Sequence, residues 1–221
     1  YSEVPQANGS FHGEQSAQGQ STGLLLRDNN FPMGLDISRQ KDAVVVGNQV
    51  GRGMQITYVD GAIIDGNAID CEGSVSSVCV FGKGSTNVIL SRNIIHTATA
   101  QDGVYITKHN SNLSHGWQLV DNRVEGDNGG YGYEIDWTDD SLVSGGYLTG
   151  FAVGVEVNDG NRNDVIGMKN DATVYGTLVR GKATTVDKVT VKDTITYGPD
   201  AVKPLGSVTN LVDSDNERFD P

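Results

Sequence analysis

Two patterns of apolar and polar positions alternate along this chain. The first reads apolar-x-apolar-x-x-Asn-x-apolar and occupies residues 43–50, 62–69, 88–95 and 117–124, with a fifth copy at 141–148 that carries glycine in the Asn place. Its marker positions, Asn48, Asn67, Asn93, Asn122 and Gly146, are 19, 26, 29 and 24 residues apart. The second pattern is a short apolar alternation, usually opened by glycine, at residues 53–56, 78–81, 103–106, 132–135, 154–157 and 176–179. Its last residues, Ile56, Phe81, Ile106, Ile135, Val157 and Val179, recur every 22 to 29 residues. An apolar alternation of period two predicts strands. Two strand motifs taking turns at one fixed period predict an all-β solenoid, one coil per period, with neighbouring coils paired in parallel about 4.8 Å apart. Asn suits a fixed corner of each coil, because it tolerates left-handed backbone and its amide can bond the Asn of the next coil. An antiparallel sandwich does not generate two alternating motifs, and the Leu-x-x-Leu-x-Leu frame of leucine-rich repeats is missing.

The repeat sets expected boundaries. Residues 1–23 are polar and rich in Gly, Gln and Ser, and read as an arm or linker. Residues 24–196 form the solenoid, of about six to seven coils, and residues 197–221, with Pro199, Pro204 and several acids, read as a cap or tail. No amphipathic capping helix is evident at either end, although exposed strand edges ask for a cover.

Side chains in a strand alternate between faces, so the second motif assigns each residue a direction. Met54, Cys79, Val104, Tyr133, Val155 and Thr177 are expected inside, with Ile56, Phe81, Ile106, Ile135, Val157 and Val179 in the next inward row. The outward row is then Gln55, Val80, Tyr105, Glu134, Glu156 and Leu178, and beside it run Thr57, Gly82, Thr107, Asp136, Asn158 and Arg180. Function has to be sought on that outer surface.

Composition narrows the partners. The 221 residues carry a net charge of −12, which opposes phosphate binding and argues against nucleic acid or an anionic membrane surface. No apolar run approaches a membrane span. The chain begins at Tyr1 without a leader pattern, as expected of a processed product or an excised fragment. Its two cysteines make no framework; Cys79 falls at an inward position, and a buried free thiol is expected rather than a bridge. No Cys/His cluster has zinc spacing, and no cofactor fingerprint is present.

The Asn-marked coils and the Gly-x-x-[Ile/Val] strands resemble the pectate-lyase-like right-handed parallel β-helix superfamily, and within it the phage tailspikes and their bacterial relatives. The resemblance implies a homotrimer, located outside the cell or on a virion surface, that binds and often cuts bacterial surface polysaccharide. It also covers polysaccharide lyases, uronan epimerases and non-catalytic adhesins.

The outward row carries residues suited to that chemistry. Glu134 and Glu156 are expected on adjacent coils, with Asp136 two residues from Glu134. Like charges this close raise the cost of ionising both, so one carboxyl should be protonated to higher pH. A carboxylic acid beside a carboxylate is the equipment of glycoside cleavage, and Glu134, Glu156 and Asp136 are the candidate acid, base and nucleophile. Tyr105, Tyr131 and Trp137 would offer apolar platforms to sugar rings, and Asp159 and Arg180 would bind polar groups. A calcium alternative would use Asp136, Asp139, Asp140 and Asp159. His109 lies where a proton shuttle could sit, and His12, His96 and His115 suggest no constellation.

Overall fold

The computed structural model describes residues 9–12, 20–74, 76–99, 101–198 and 200–219. These contain strands and turns and no helix. The named strands pair in parallel, each with the strand one coil earlier and one coil later. Each coil presents three strands in turn. One stack contains Met54–Thr57, Val78–Lys83, Asp102–Thr107 and Tyr131–Asp136. The second contains Asp60–Asp65, Thr86–Ser91, Gln118–Val120 and Leu142–Ser144. The third contains Gln49–Gly51, Ala68–Asp70, Ile94–Thr99 and Arg123–Asp127. The first sequence pattern is thus the second strand, an Asn corner and the opening of the third strand; the second pattern is the first strand.

Identical strand positions stack into rows, and the rows make the core. Leu26, Val45, Ile64, Leu90, Leu119, Val143, Val165 and Val191 follow one another in register on the second stack, and all are buried. On the third stack Val50, Ile69, Ile95, Val124 and Leu148 do the same, and the row then continues as Asn170 and Thr196, which are also buried. The corner Asn residues form the expected column. Asn29, Asn48, Asn67 and Asn93 each pass a hydrogen bond from side-chain amide to the carbonyl oxygen of the next, ending on Asn122, at 2.9–3.2 Å. The same carbonyl oxygens accept the backbone N–H groups of residues 29, 48, 67 and 93. Gly146 ends the column.

Three expectations are corrected. The alternation through Val78–Lys83 is shifted by one residue: Val80 pairs with Met54 and Val104, and Gly82 pairs with Ile56 and Ile106, so Val80 and Gly82 point inward and Phe81 points out. The cause is Trp117, fully buried, whose ring lies over Gly82 and whose indole N–H donates to the Ser85 carbonyl at 3.0 Å. A Cβ at position 82 would stand 2.6 Å from that ring. Gly82→Ala is therefore expected to lower stability by about 1–3 kcal/mol through overpacking, whereas Gly to Ala in an unobstructed strand stabilises; a urea unfolding midpoint decides the sign.

Second, Cys71 and Cys79 are bonded to each other, with Cα atoms 5.6 Å apart, and neither is a free thiol. Cys79 is buried, as expected, but it packs beside the core row rather than in it. Third, the ladder passes both expected ends. Gly9–His12 pairs with Leu35–Ser38, and Ser21–Thr22 pairs with Gln40–Val46, although residues 1–8 and 13–19 of the expected arm lie outside the described residues. Asp200–Thr209, Val212–Ser214 and Glu217–Phe219 likewise continue the stacks. Inward positions there are mixed: Val202 and Pro204 continue the row of Thr177 and Val179, but Asp213 and Arg218 stand in register with Val191 and Thr196, so the ladder runs on through backbone pairing that an apolar pattern registers only in part.

Candidate functional site

The outward row of the first stack runs, in register, Asp36, Gln55, Phe81, Tyr105, Glu134, Glu156 and Leu178. The row beside it runs Ser38, Thr57, Lys83, Thr107, Asp136, Asn158 and Arg180. Tyr105, Glu134, Glu156, Asp136 and Arg180 therefore converge as the sequence predicted, with Phe81 and Lys83 replacing Val80 and Gly82.

Their environments differ sharply. Glu156 is fully buried, and its carboxylate pairs with the Arg180 guanidinium, with the Lys182 ammonium 3.9 Å away. Burial raises the Glu156 carboxyl while Arg180 and Lys182 pull it down. A buried ion pair is costly to break and cheap to leave intact, so Glu156 is held rather than offered to solvent. Glu134 is half-buried and has no such partner among the described residues. Burial pushes its carboxyl up from 4.5 to about 7, helped by repulsion from Asp102, Glu156 and Asp136 and opposed by Lys182. Asp136 is fixed by two donors, the Tyr105 hydroxyl at 3.1 Å and the Asn158 amide at 3.1 Å. Burial raises its carboxyl, while the bond from Tyr105 lowers it. The Tyr105 phenol is itself pushed up to about 12, chiefly by burial, and stays a donor at neutral pH.

A raised folded-state pKa favours the protonated fold. The contribution of Glu134 is fully present below its unfolded value of 4.5 and is lost as pH climbs to about 7. The melting temperature of the wild type is expected to fall across that window. Glu134→Gln should flatten this fall, as circular-dichroism melts at stepped pH will report.

The other candidates are distributed as follows. Tyr131 lies at the margin of the cluster, and its hydroxyl accepts from Arg180 at 3.5 Å. Trp137 occupies the corner after Asp136 with left-handed backbone, φ 50°. The Lys108 ammonium covers one face of its ring, 3.3 Å from the centroid, leaving a cation–π pair where an open platform was expected. Asp159 faces the protein: its carboxylate accepts the backbone N–H groups of Ala183 and Thr184 at 2.8 and 2.9 Å. It thereby ties down the segment that follows Lys182. Asp139 accepts from the Asn161 backbone N–H, Asp140 pairs with Arg162, and Asp136 and Asp159 are engaged as described. The four aspartates of the calcium alternative are thus each engaged by protein groups, Asp139 and Asp140 sharing Arg162. Among the described residues no group of three or more His, Cys, Asp or Glu side chains is placed to hold a metal. His109 stacks on Tyr58, 4.8 Å between ring centroids, back toward the preceding coils and away from a shuttle position.

Sequence reasoning missed three participants. Lys182 comes from an irregular stretch between Gly181 and Val186, where the register shifts, so no periodic row contains it. Phe81 was hidden by the register slip, and its ring stacks on Tyr105 at 5.2 Å. His12 lies between the hydroxyls of Ser10 and Ser38 at the start of the same face.

No family model and no curated protein matches the chain. Solved structures do. A surface adhesin of Streptococcus pneumoniae, PfbA, superposes with a TM-score of 0.65 at 11% identity, over 84% of this chain and 56% of its own. The exopolygalacturonase of Thermotoga maritima gives 0.54 at 12% identity, over 83% and 54%. The periplasmic alginate epimerase AlgG gives 0.50 at 15% identity, over 90% and 47%. The chain spans about half the length of these structures. These likenesses, with the parallel pairing of successive coils, show the fold: a parallel β-helix.

Proposed function

We propose that this chain is a polysaccharide-binding β-helix of tailspike type that cleaves a bacterial surface polysaccharide at the face around Glu134. The observation that carries the reading is one outward cluster holding two unlike carboxyls. Glu134 is half-buried, protonated to near neutrality and without an ion-pair partner among the described residues, and Asp136 is pinned by Tyr105 and Asn158. Two carboxyls whose surroundings set their ionisation apart can divide the work of acid and base. Glu134 donates its proton to the departing glycosidic oxygen. Asp136 is the carboxylate that attacks the sugar or activates a water. Glu156, beneath them and paired with Arg180, acts on Glu134 by charge and does not touch substrate. Phe81 and Tyr105, stacked in line along the face, support a sugar ring leading into the cluster.

The remaining parts of the reading follow from the resemblance and from general chemistry. The coils are right-handed, the hand that twisted parallel strands impose on crossovers. A bonded Cys71–Cys79 pair fits an oxidising, extracellular setting. The protein acts as a homotrimer on the cell or virion surface. The test is the mass of the native protein by light scattering, together with the size of a panel of bacterial surface polysaccharides incubated with it. A trimer that shortens one polymer supports the reading. A protein that binds a polymer and leaves its length unchanged would make this a non-catalytic adhesin.

A further inference from the structure

Four coils before Glu134, the same outward row enters a cavity of about 260 Å³. Its lining combines Ser10, Asp36, Arg52, Gln55 and Phe81 with an apolar floor from Met54 and its neighbours. Asp36 stands in register between Ser10 and Gln55, one carboxylate flanked by two neutral polar groups. Its Oδ1 is buried and has no hydrogen-bond partner among the described residues. Burial raises this carboxyl, and His12 and Lys83 oppose the shift. His12 does not fill the need of Oδ1, because its ring nitrogens are taken by Ser10 and Ser38.

A buried acceptor left open costs free energy until a donor reaches it. An apolar ligand would leave that cost in place, and an acidic ligand would add repulsion from Asp36. A ring with several hydroxyl donors and an apolar face satisfies both halves of the lining: its hydroxyls meet Asp36, Ser10, Gln55 and Arg52, and its carbons meet Met54 and the edge of Phe81. We propose that this cavity is a second saccharide site, which takes a neutral hexose unit against Asp36 and Gln55. Phe81 then forms the near edge of the cavity, and Tyr105 lies between it and Glu134. The four steps of the row amount to about 19 Å at the usual strand spacing, a span of several sugar rings along one polymer. Only this last point, that one polymer occupies both places, rests on the reading of Glu134; binding in the cavity does not.

The experiment is saturation-transfer NMR on the full chain with glucose, galactose, mannose and N-acetylglucosamine as probes and glucuronate as the acidic counterpart, each at millimolar concentration. Wild type, Asp36→Leu and Gln55→Ala are compared after circular dichroism has confirmed the fold. Transfer to at least one neutral sugar is expected in wild type. It should fall several-fold in Asp36→Leu and in Gln55→Ala, the second change being at a part-exposed position that leaves the core untouched. Absence of transfer to every neutral sugar would overturn the proposal, as would undiminished transfer in both cavity variants or a stronger response to glucuronate. The two readings fail separately. Asp36-dependent transfer with no polymer shortened leaves the cavity standing and removes the cleavage reading. Polymer shortened with no transfer removes the cavity alone.

Discussion

Glu134→Gln is expected to reduce the rate at which the protein shortens its polysaccharide by about 10²–10⁴-fold, the range that a positioned general acid supplies. Gln keeps the shape of the side chain and its place between Tyr105 and Glu156 in the row, so polymer binding and the fold should persist. What it removes is the transferable proton. The wild-type activity should decline above about pH 7 as the Glu134 carboxyl ionises, and the residual activity of the variant should lack that limb. Glu156→Gln makes the informative comparison. It breaks the pair with Arg180 and leaves a cation near Glu134 uncompensated, which should draw the Glu134 carboxyl down and move the alkaline limb to lower pH. It should not abolish turnover at acid pH. Polymer size by size-exclusion chromatography over a pH series reads both variants. Wild-type rates and an unchanged profile in Glu134→Gln would remove the residue from the chemistry.

The largest stability effect is expected at the Asn column. Asn67→Ala should cost about 3–5 kcal/mol, because several buried groups lose a partner at once and each such loss costs about 1–3 kcal/mol. The Asn67 carbonyl oxygen accepts from both the backbone N–H and the side-chain amide of Asn48, at 2.9 Å each. Its amide donates to the Val45 carbonyl at 3.0 Å and to Asn93 at 2.9 Å. One side chain thus joins three coils, and its neighbours polarise one another along the column. Asn112→Ala, at an exposed loop position, should change stability by about 0.5 kcal/mol or less. Equal costs at the two sites, measured by urea unfolding, would deny the column its structural weight.

The sequence showed the solenoid plainly because each coil repeats the same two local problems, a left-handed corner and a half-buried strand, and solves them with the same residue types. Asn48, Asn67, Asn93 and Asn122 could be placed in space from spacing alone. Alternation failed where it had nothing to alternate: Val78, Cys79, Val80 and Phe81 are all apolar, and a glycine, Gly82, takes the inward place because a tryptophan from elsewhere in the coil needs the room. The Cys71–Cys79 bond escaped because only Cys79 belongs to the repeat; Cys71 sits on the connecting segment before it, where no period places it. For the site, position was legible and environment was not. Rows put Glu134, Glu156 and Asp136 together, but the burial of Glu156 depends on Arg180 and Lys182, contributed by the following coil. Asp159 looked like a ligand for substrate because its backbone partners, Ala183 and Thr184, belong to a stretch with no period.

The Asn column stops at Asn122, and soon afterwards the inner row of the third stack changes from Leu148 to Asn170 and Thr196, whose side-chain polar atoms have no hydrogen-bond partner among the described residues. A stack in which each coil touches only its neighbours behaves as a linear chain of coupled units, whose loosest links open first. Here those links follow residue 146. The two sides of the candidate site therefore belong to regions of different cohesion: Tyr105, Glu134 and Asp136 come from the firmly zipped side, and Glu156, Arg180 and Lys182 from the side that unzips. A polymer lying across both would act as a staple, and its binding energy would be drawn on to keep the outer coils closed.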